Sequence, residues 1–520
     1  MLLGIVKSVT GRLSLAPDET QLLAKVRACE DPSLLRAIRM AIRDGDDPLG
    51  DSYCYLMSAA ERRGQGQTFT PAAVVEGMVN WSRRQRRRVT RIVDPGAGTG
   101  RYTIAALKSF PTARAVAVEK DPMVALMLKA NLVVTGLYRR VRVVIGDYRH
   151  LELAPVGGCT LFIGNPPYVR HHDIEPEWKD WYASTLKGIG HRGSKLAGLH
   201  LHFFLKTLQL SSKGDIGCFI TAAEWLDVGY GSALRELLTN GLGGKDVFVI
   251  DPTVKVFGDA MVSASITTFS PGITRGGLRF AQIATERQIR TLARGTPIQM
   301  SVARDEPKWS FLVRGGRPAR PEGFIELGDV FRVSRGQVTG LNKVWVQHND
   351  TPPLPDRFLL PAITDATDII EARNRIIDRP EGLRRVISLP DDLSGLRGAE
   401  RQAVENFLEW ARELGAHQTY IAEHRKPWWR VSYSDAPPAV MTYMGRRPPV
   451  FALNRAHAHL TNVAHGLYPR GPLPDRAISQ LVGWLNGNVA IEDGRVYAGG
   501  LTKFEPSEAM RILIPEALAH

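Results

Sequence analysis

A short apolar run, Arg91-Ile92-Val93, breaks into Asp94-Pro95-Gly96-Ala97-Gly98-Thr99-Gly100, and an apolar helical pattern follows from Tyr102 to Leu107. Strand, glycine-rich turn and helix in this order start a nucleotide-binding α/β sheet, because glycines let the backbone close on a ligand at the strand's C-terminal end. Three further apolar strands continue the pattern: Ala115-Val116-Ala117-Val118, Val141-Arg142-Val143-Val144-Ile145, and Thr160 to Gly164. Each hands a polar group to the loop after it: Glu119, Asp147-Tyr148 and Asn165 respectively. Functional groups at successive C-terminal strand ends are the signature of an open parallel sheet that binds its ligand along one edge.

The polar groups define a ligand. The turn departs from the dinucleotide spacing, and Asp94 at the strand end suits a cationic ammonium better than a pyrophosphate. Glu119, roughly twenty residues on, stands where a carboxylate accepts both ribose hydroxyls. Asp147 is placed to accept from an adenine amine, with Tyr148 packing on its ring. Together with Gly96 and Gly98 these residues suit S-adenosylmethionine (AdoMet). Upstream, in Gly64-Gln65-Gly66-Gln67-Thr68-Phe69-Thr70-Pro71, Thr70 is expected to N-cap a helix that begins at Pro71, so that backbone amides there face a carboxylate.

The fourth strand delivers Asn165-Pro166-Pro167-Tyr168. This tetrapeptide fits a substrate amine whose lone pair is conjugated into a ring, such as adenine N6. Such an amine reacts only if both hydrogens are held by acceptors and the lone pair is steered to the methyl donor. The Asn165 side-chain oxygen and the Pro166 carbonyl are the two acceptors, while the paired prolines stiffen the loop and remove competing donors. Tyr168 offers a stacking face for the base.

The order Thr-Phe-Thr-Pro, Asp-Pro-Gly-x-Gly-x-Gly, Val-Glu, Gly-Asp-Tyr and Asn-Pro-Pro-Tyr resembles that of the gamma-class adenine-N6 DNA methyltransferases, whose target-recognition domain follows the catalytic one. Gly217 to Leu226 is similar to the family's fifth-strand block, and Val256 to Ala264 to the block carrying a second aromatic against the extruded adenine, a position that Phe257 matches. The Asp-Pro-Gly turn departs from the aromatic-led form of many members. Gly336 to Trp345 and Lys426-Pro427-Trp428-Trp429-Arg430 resemble segments of TaqI-like and Eco57I-like recognition domains, although core packing is the favoured reading of the two tryptophans.

The resemblance implies a Rossmann-like AdoMet-dependent methyltransferase domain of the α/β class with a C-terminal mixed α+β target-recognition domain. The expected boundaries are a helical lead-in at 1–60, with two helices over 20–43 broken at Asp31-Pro32, a catalytic domain at 61–275, a connector at 276–322 and a recognition domain, with few strong helical periods, at 323–520. Double-stranded DNA is the implied substrate. A separate cognate restriction endonuclease is the implied partner if the chain is the modification half of a pair rather than a stand-alone methylase. A cytosine-N4 target, an RNA or protein-glutamine substrate, and a vestigial binding subunit remain the alternatives.

With 520 residues, 44% of them hydrophobic, the chain can bury more than one core, and its net charge of +14 suits a polyanionic partner. The Arg83 to Arg91 cluster reads as a solvated face before it reads as a DNA clamp. The four scattered cysteines form no C-x-x-C pair and suggest no metal site. Without a signal-peptide pattern or an apolar run of membrane-spanning length, a soluble cytoplasmic protein is expected.

Overall fold

The computed structural model describes the chain except residues 12, 14, 59–60, 62–68, 252–253, 255–263, 273–276, 314, 316–319, 497–500 and 520. It divides into two compact units, Met1–Arg317 and Pro318–His520.

The first unit is built on a nine-stranded sheet in the order β3-β2-β1-β4-β5-β7-β6-β8-β9. Its first five strands are β1 (Val89–Pro95), β2 (Arg114–Glu119), β3 (Val141–Ile145), β4 (Cys159–Gly164) and β5 (Ile216–Ala222). All five run parallel, with Ile92 opposite both Ala115 of β2 and Leu161 of β4. The order reverses between β1 and β4, the switch point at which open α/β sheets hold ligands. Further along, β6 (Gly244–Ile250) and β7 (Ala264–Phe269) form an antiparallel pair, with β7 wedged between β5 and β6.

Alternation along the strands covers both faces. Phe162 and Phe219 point into one buried cluster with Leu201 and Phe204. Leu161, Ile163, Cys218 and Ile220 point into the other, with Val74, Met78 and Trp81. A period of two with apolar residues on both sides is what a fully covered parallel sheet requires.

Two expected boundaries change. Residues 276–322 were expected to connect domains, but β8 (Leu278–Ile283) pairs in parallel with β6, and β9 (Thr296–Ile298) continues the sheet. Trp309 lies fully buried in the same core. The short apolar strands in this stretch were hidden between Pro- and Gly-rich signals. The two helices expected over 20–43 are α2 (Pro17–Ala24) and α3 (Pro32–Asp44), flanked by α1 (Leu2–Thr10) and α4 (Pro48–Leu56). They belong to the catalytic unit. Ile5, Val6 and Val9 pack with Val124, Met127 and Ala130, and buried Glu19 pairs with Lys129.

The second unit is mixed α+β. Its five-stranded sheet has the order Phe331–Arg335, Ala464–Pro469, Ala439–Thr442, Phe451–Asn454, Ile376–Ile377. Where few helical periods were expected, it holds two long helices, Gly398–Glu413 and Asp475–Asn488. Trp345, Trp428 and Trp429 join one apolar cluster, and Trp429 Nε1 donates to the Pro390 carbonyl at 3.1 Å, so these aromatics serve the core.

Candidate active site

The C-terminal ends of β1 to β4 surround a cavity of about 580 Å³, within the usual range of small-molecule sites. Gly96, Gly98, Glu119, Asp147, Tyr148 and Asn165 all line it. Helix α5 (Ala72–Arg84) follows the Phe69-Thr70 segment on one side, and α6 (Arg101–Ser109) follows the glycine turn.

The turn and the second strand are locked together. Gly98 N donates to Glu119 Oε2 at 2.8 Å, and Asp121 N donates to Oε1 at 2.9 Å. Burial pushes the Glu119 carboxyl above its ordinary range, against the pull of those amides. Gly96 has φ 73°, a left-handed conformation that favours glycine, and a Cβ there would stand 3.5 Å from Pro167 Cδ. The cofactor turn and the Asn-Pro-Pro-Tyr loop therefore lie side by side.

Asp147 is gripped by Arg149, whose Nε and Nη2 donate to its two carboxylate oxygens at 3.0 and 2.6 Å. Burial raises the Asp147 pKa, but the bonds from Arg149 outweigh it and hold the group below its ordinary value. Tyr148 is buried, its hydroxyl 2.9 Å from Thr207 Oγ1 and its ring 5.0 Å from Phe203. Phe203 and Phe69 add apolar wall to the cavity. Sequence reasoning did not single out Arg149, Phe203 or Phe69 for this role. Phe69 lay visible inside Thr-Phe-Thr-Pro, whereas Phe203 belongs to the helix Leu199–Leu210, whose apolar pattern reads as core.

Asn165 joins the cofactor wall to the expected helix start, but not as anticipated. Helix α5 begins at Ala72 with Pro71 at its N-cap and no side-chain capping bond. Thr70 is not the cap. Its Oγ1 instead accepts from Asn165 Nδ2 at 3.1 Å, which ties the amide to the segment before α5. Neither Thr70 nor Pro71 lines the cavity.

Asp94 is likewise displaced from its expected role. It is fully buried and does not line the cavity; its Oδ2 accepts from Thr103 N at 3.0 Å and Thr103 Oγ1 at 2.6 Å, tying β1 to α6. Burial pushes its pKa up to about 7. A Cβ on Gly164 would come within 2.9 Å of Asp94 Oδ1, so the glycine lets β4 close over the carboxylate. The turn sequence alone could not distinguish a helix-tethering aspartate from a ligand-facing one.

Pro166 is buried beside Asn165. Tyr168 is half-buried, with its hydroxyl enclosed and its ring edge-on to His200 at 6.4 Å. Phe257 lies outside the described residues. Among the described residues no cluster of His, Cys, Asp or Glu could hold a metal, and no helix is long and apolar enough to cross a membrane.

The donor set fits AdoMet: a buried carboxylate at the end of β2, a second carboxylate after β3, an aromatic wall, and a glycine turn closing between them. Sheet order and site together define the class I AdoMet-dependent methyltransferase fold, joined here to a C-terminal domain.

Comparison with known proteins is specific. The family described as "Eco57I restriction-modification methylase" matches residues 152–251, and "Type II methyltransferase M.Eco57I, C-terminal domain" matches residues 387–520. The Type II methyltransferase M.XamI of Xanthomonas campestris pv. amaranthicola is 49% identical over 450 residues, which cover 86% of this chain and 85% of that relative. M.AccI of Acinetobacter calcoaceticus is 21% identical over 88% of this chain and 86% of its own length. This chain belongs to the Eco57I-like Type II DNA methyltransferases of restriction–modification systems. A solved structure described as a cryoEM DrdV–DNA complex shares the fold, with TM-score 0.52 and 11% identity over 90% of this chain and 58% of that one.

Proposed function

We propose that the chain methylates N6 of adenine in duplex DNA, with the target base turned out of the helix into the Asn-Pro-Pro-Tyr loop. The observation that carries this reading is the bond from Asn165 Nδ2 to Thr70 Oγ1. It turns the nitrogen end of the amide toward Thr70, and the side-chain oxygen takes the acceptor role. An exocyclic amine needs that acceptor. Asn165 takes one N6 hydrogen and the Pro166 carbonyl takes the other, drawing the lone pair out of conjugation.

AdoMet, bound in the cavity at the sheet's switch point, supplies the electrophilic methyl group. Glu119 accepts from its ribose and Asp147 from its adenine amine, while Phe69, Tyr148 and Phe203 exclude water around it. Asn165 positions the amine and is not a base. Tyr168 and Phe257 stack on the everted base, repaying part of an extrusion cost of a few kcal/mol at about 1–3 kcal/mol per contact. The C-terminal unit reads the base sequence, and a separate endonuclease cuts the same unmethylated site.

Nucleoside analysis of duplex DNA methylated by the purified chain tests the assignment. N6-methyladenine is the expected product. N4-methylcytosine alone, or methyl transfer only to RNA or protein, would overturn it.

A further inference from the structure

The N-terminal helices reach the acceptor loop through an unbroken line of polar contacts. Asp47, at the N-cap of α4 and buried, collects four donors around one carboxylate. Its Oδ1 accepts from Gly50 N at 3.0 Å and from Asn131 Nδ2 at 3.1 Å. Its Oδ2 accepts from the Thr99 hydroxyl, in the glycine turn, and from Arg101 Nε at 2.8 Å. Asn131 Nδ2 also donates to the Thr99 carbonyl at 3.0 Å, so the turn is held by both its side chain and its backbone.

Arg101 carries the line onward. Its Nη1 donates to the Thr70 carbonyl at 2.9 Å, its Nη2 to Asp51 Oδ1 at 2.6 Å, and its guanidinium lies 5.5 Å from the centre of the Phe69 ring. One side chain therefore fixes both residues of the Phe69-Thr70 segment: Phe69 on the cavity wall, and Thr70 with its hydroxyl against the Asn165 amide. A planar guanidinium using three different nitrogens holds geometry more tightly than a flexible ammonium could.

We propose that Asp47 and Arg101 are positioning residues for methyl transfer, setting the orientation of the Asn165 amide through Thr70. The N-terminal helices are then a working part of the active site, not a lead-in. The proposal rests on the reading of Asn165 as the amine acceptor. It assigns Asp47 a double duty, since the same carboxylate steadies the cofactor turn at Thr99 and the acceptor loop through Arg101. Small displacements matter at such a site, where misplacing a reacting group by about 1 Å costs on the order of 100-fold in rate.

The test is a double-mutant cycle on the full-length protein, reading the single-turnover rate of tritiated methyl transfer to unmethylated phage DNA at saturating AdoMet and DNA. Arg101→Met and Thr70→Val should each slow transfer by about 10- to 100-fold. Thr70→Ser, which keeps the accepting hydroxyl, should restore most of the rate. In an Asn165→Ala background, Arg101→Met and Thr70→Val should cause little further slowing, because the group they orient is gone. Melting temperatures serve as control, and if Arg101→Met does not fold, the Thr70→Val and Thr70→Ser pair decides alone. A slow Asn165→Ala enzyme with fully additive second mutations overturns the relay and leaves the acceptor reading standing. A near-normal Asn165→Ala enzyme overturns the acceptor reading, and the relay with it.

Discussion

Arg149 grips both carboxylate oxygens of Asp147 while its guanidinium lies 3.8 Å over the ring of Trp178. A carboxylate proposed to receive a cofactor amine is thus also held by a cation. The pair is compatible with that role, because a carboxylate has about four lone-pair sites and Arg149 does not fill them all. Arg149 also fixes the plane of the carboxylate.

Arg149→Met should therefore weaken AdoMet binding. Charge-assisted bonds of this kind are worth about 1.5–3 kcal/mol, so the loss should be tenfold or more. Calorimetric titration measures it directly. Unchanged affinity would show that the Arg149 grip does not set Asp147 for the cofactor.

Glu119→Gln isolates the second strand's carboxylate. Glutamine keeps one acceptor oxygen, so it cannot accept from Gly98 N and Asp121 N on two separate oxygens as Glu119 does. AdoMet affinity should drop by about 10- to 100-fold, the equivalent of one charged hydrogen bond, with DNA affinity unaffected. Equal weakening for both ligands would point instead to collapse of the glycine turn.

The strand ends were legible from the sequence because they combine two local signals, an apolar run and a polar residue at its close. Glu119, Asp147 and Asn165 fall on the cavity for that reason. What was not legible depended on rotamers and on distant partners. Asp94 and Glu119 end adjacent strands, yet Thr103, in the first turn of α6, takes Asp94 into the protein and leaves only Glu119 facing the ligand space. Asp47 caps α4, but its bonds to Thr99, Arg101 and Asn131 span from 52 to 84 residues of sequence, which no local pattern encodes. The strands at 278–283 and 296–298 were missed because each is short and gains its stability only by extending a sheet already formed.

Acid should destabilise the fold through the histidines behind the acceptor loop. Burial holds His200 down to about 4 and His202 to about 3, with Arg149 adding to the effect on His202. Because the folded values lie below the unfolded value of about 6.5, their stabilising contribution is fully present above pH 6.5 and is lost as pH falls toward 4. His200→Gln should remove about 2 kcal/mol of the difference between urea melts at pH 7.5 and pH 5. Parallel pH dependence in wild type and variant would contradict a buried, neutral His200.

Tyr168 separates two roles that one ring can play. Its hydroxyl is buried with no hydrogen-bond partner among the described residues, so Tyr168→Phe should be neutral or slightly stabilising and should keep turnover. Tyr168→Ala should instead lose about 1–3 kcal/mol of base stacking. That deficit should shrink when the target adenine stands opposite a mismatch or an abasic site, where extrusion is already easier. If the ring served only the fold, Tyr168→Ala would lower the melting temperature and lose the same activity on matched and mismatched duplexes. Rates on both duplexes, read beside the melting temperature, tell a residue that holds the base from one that holds the core.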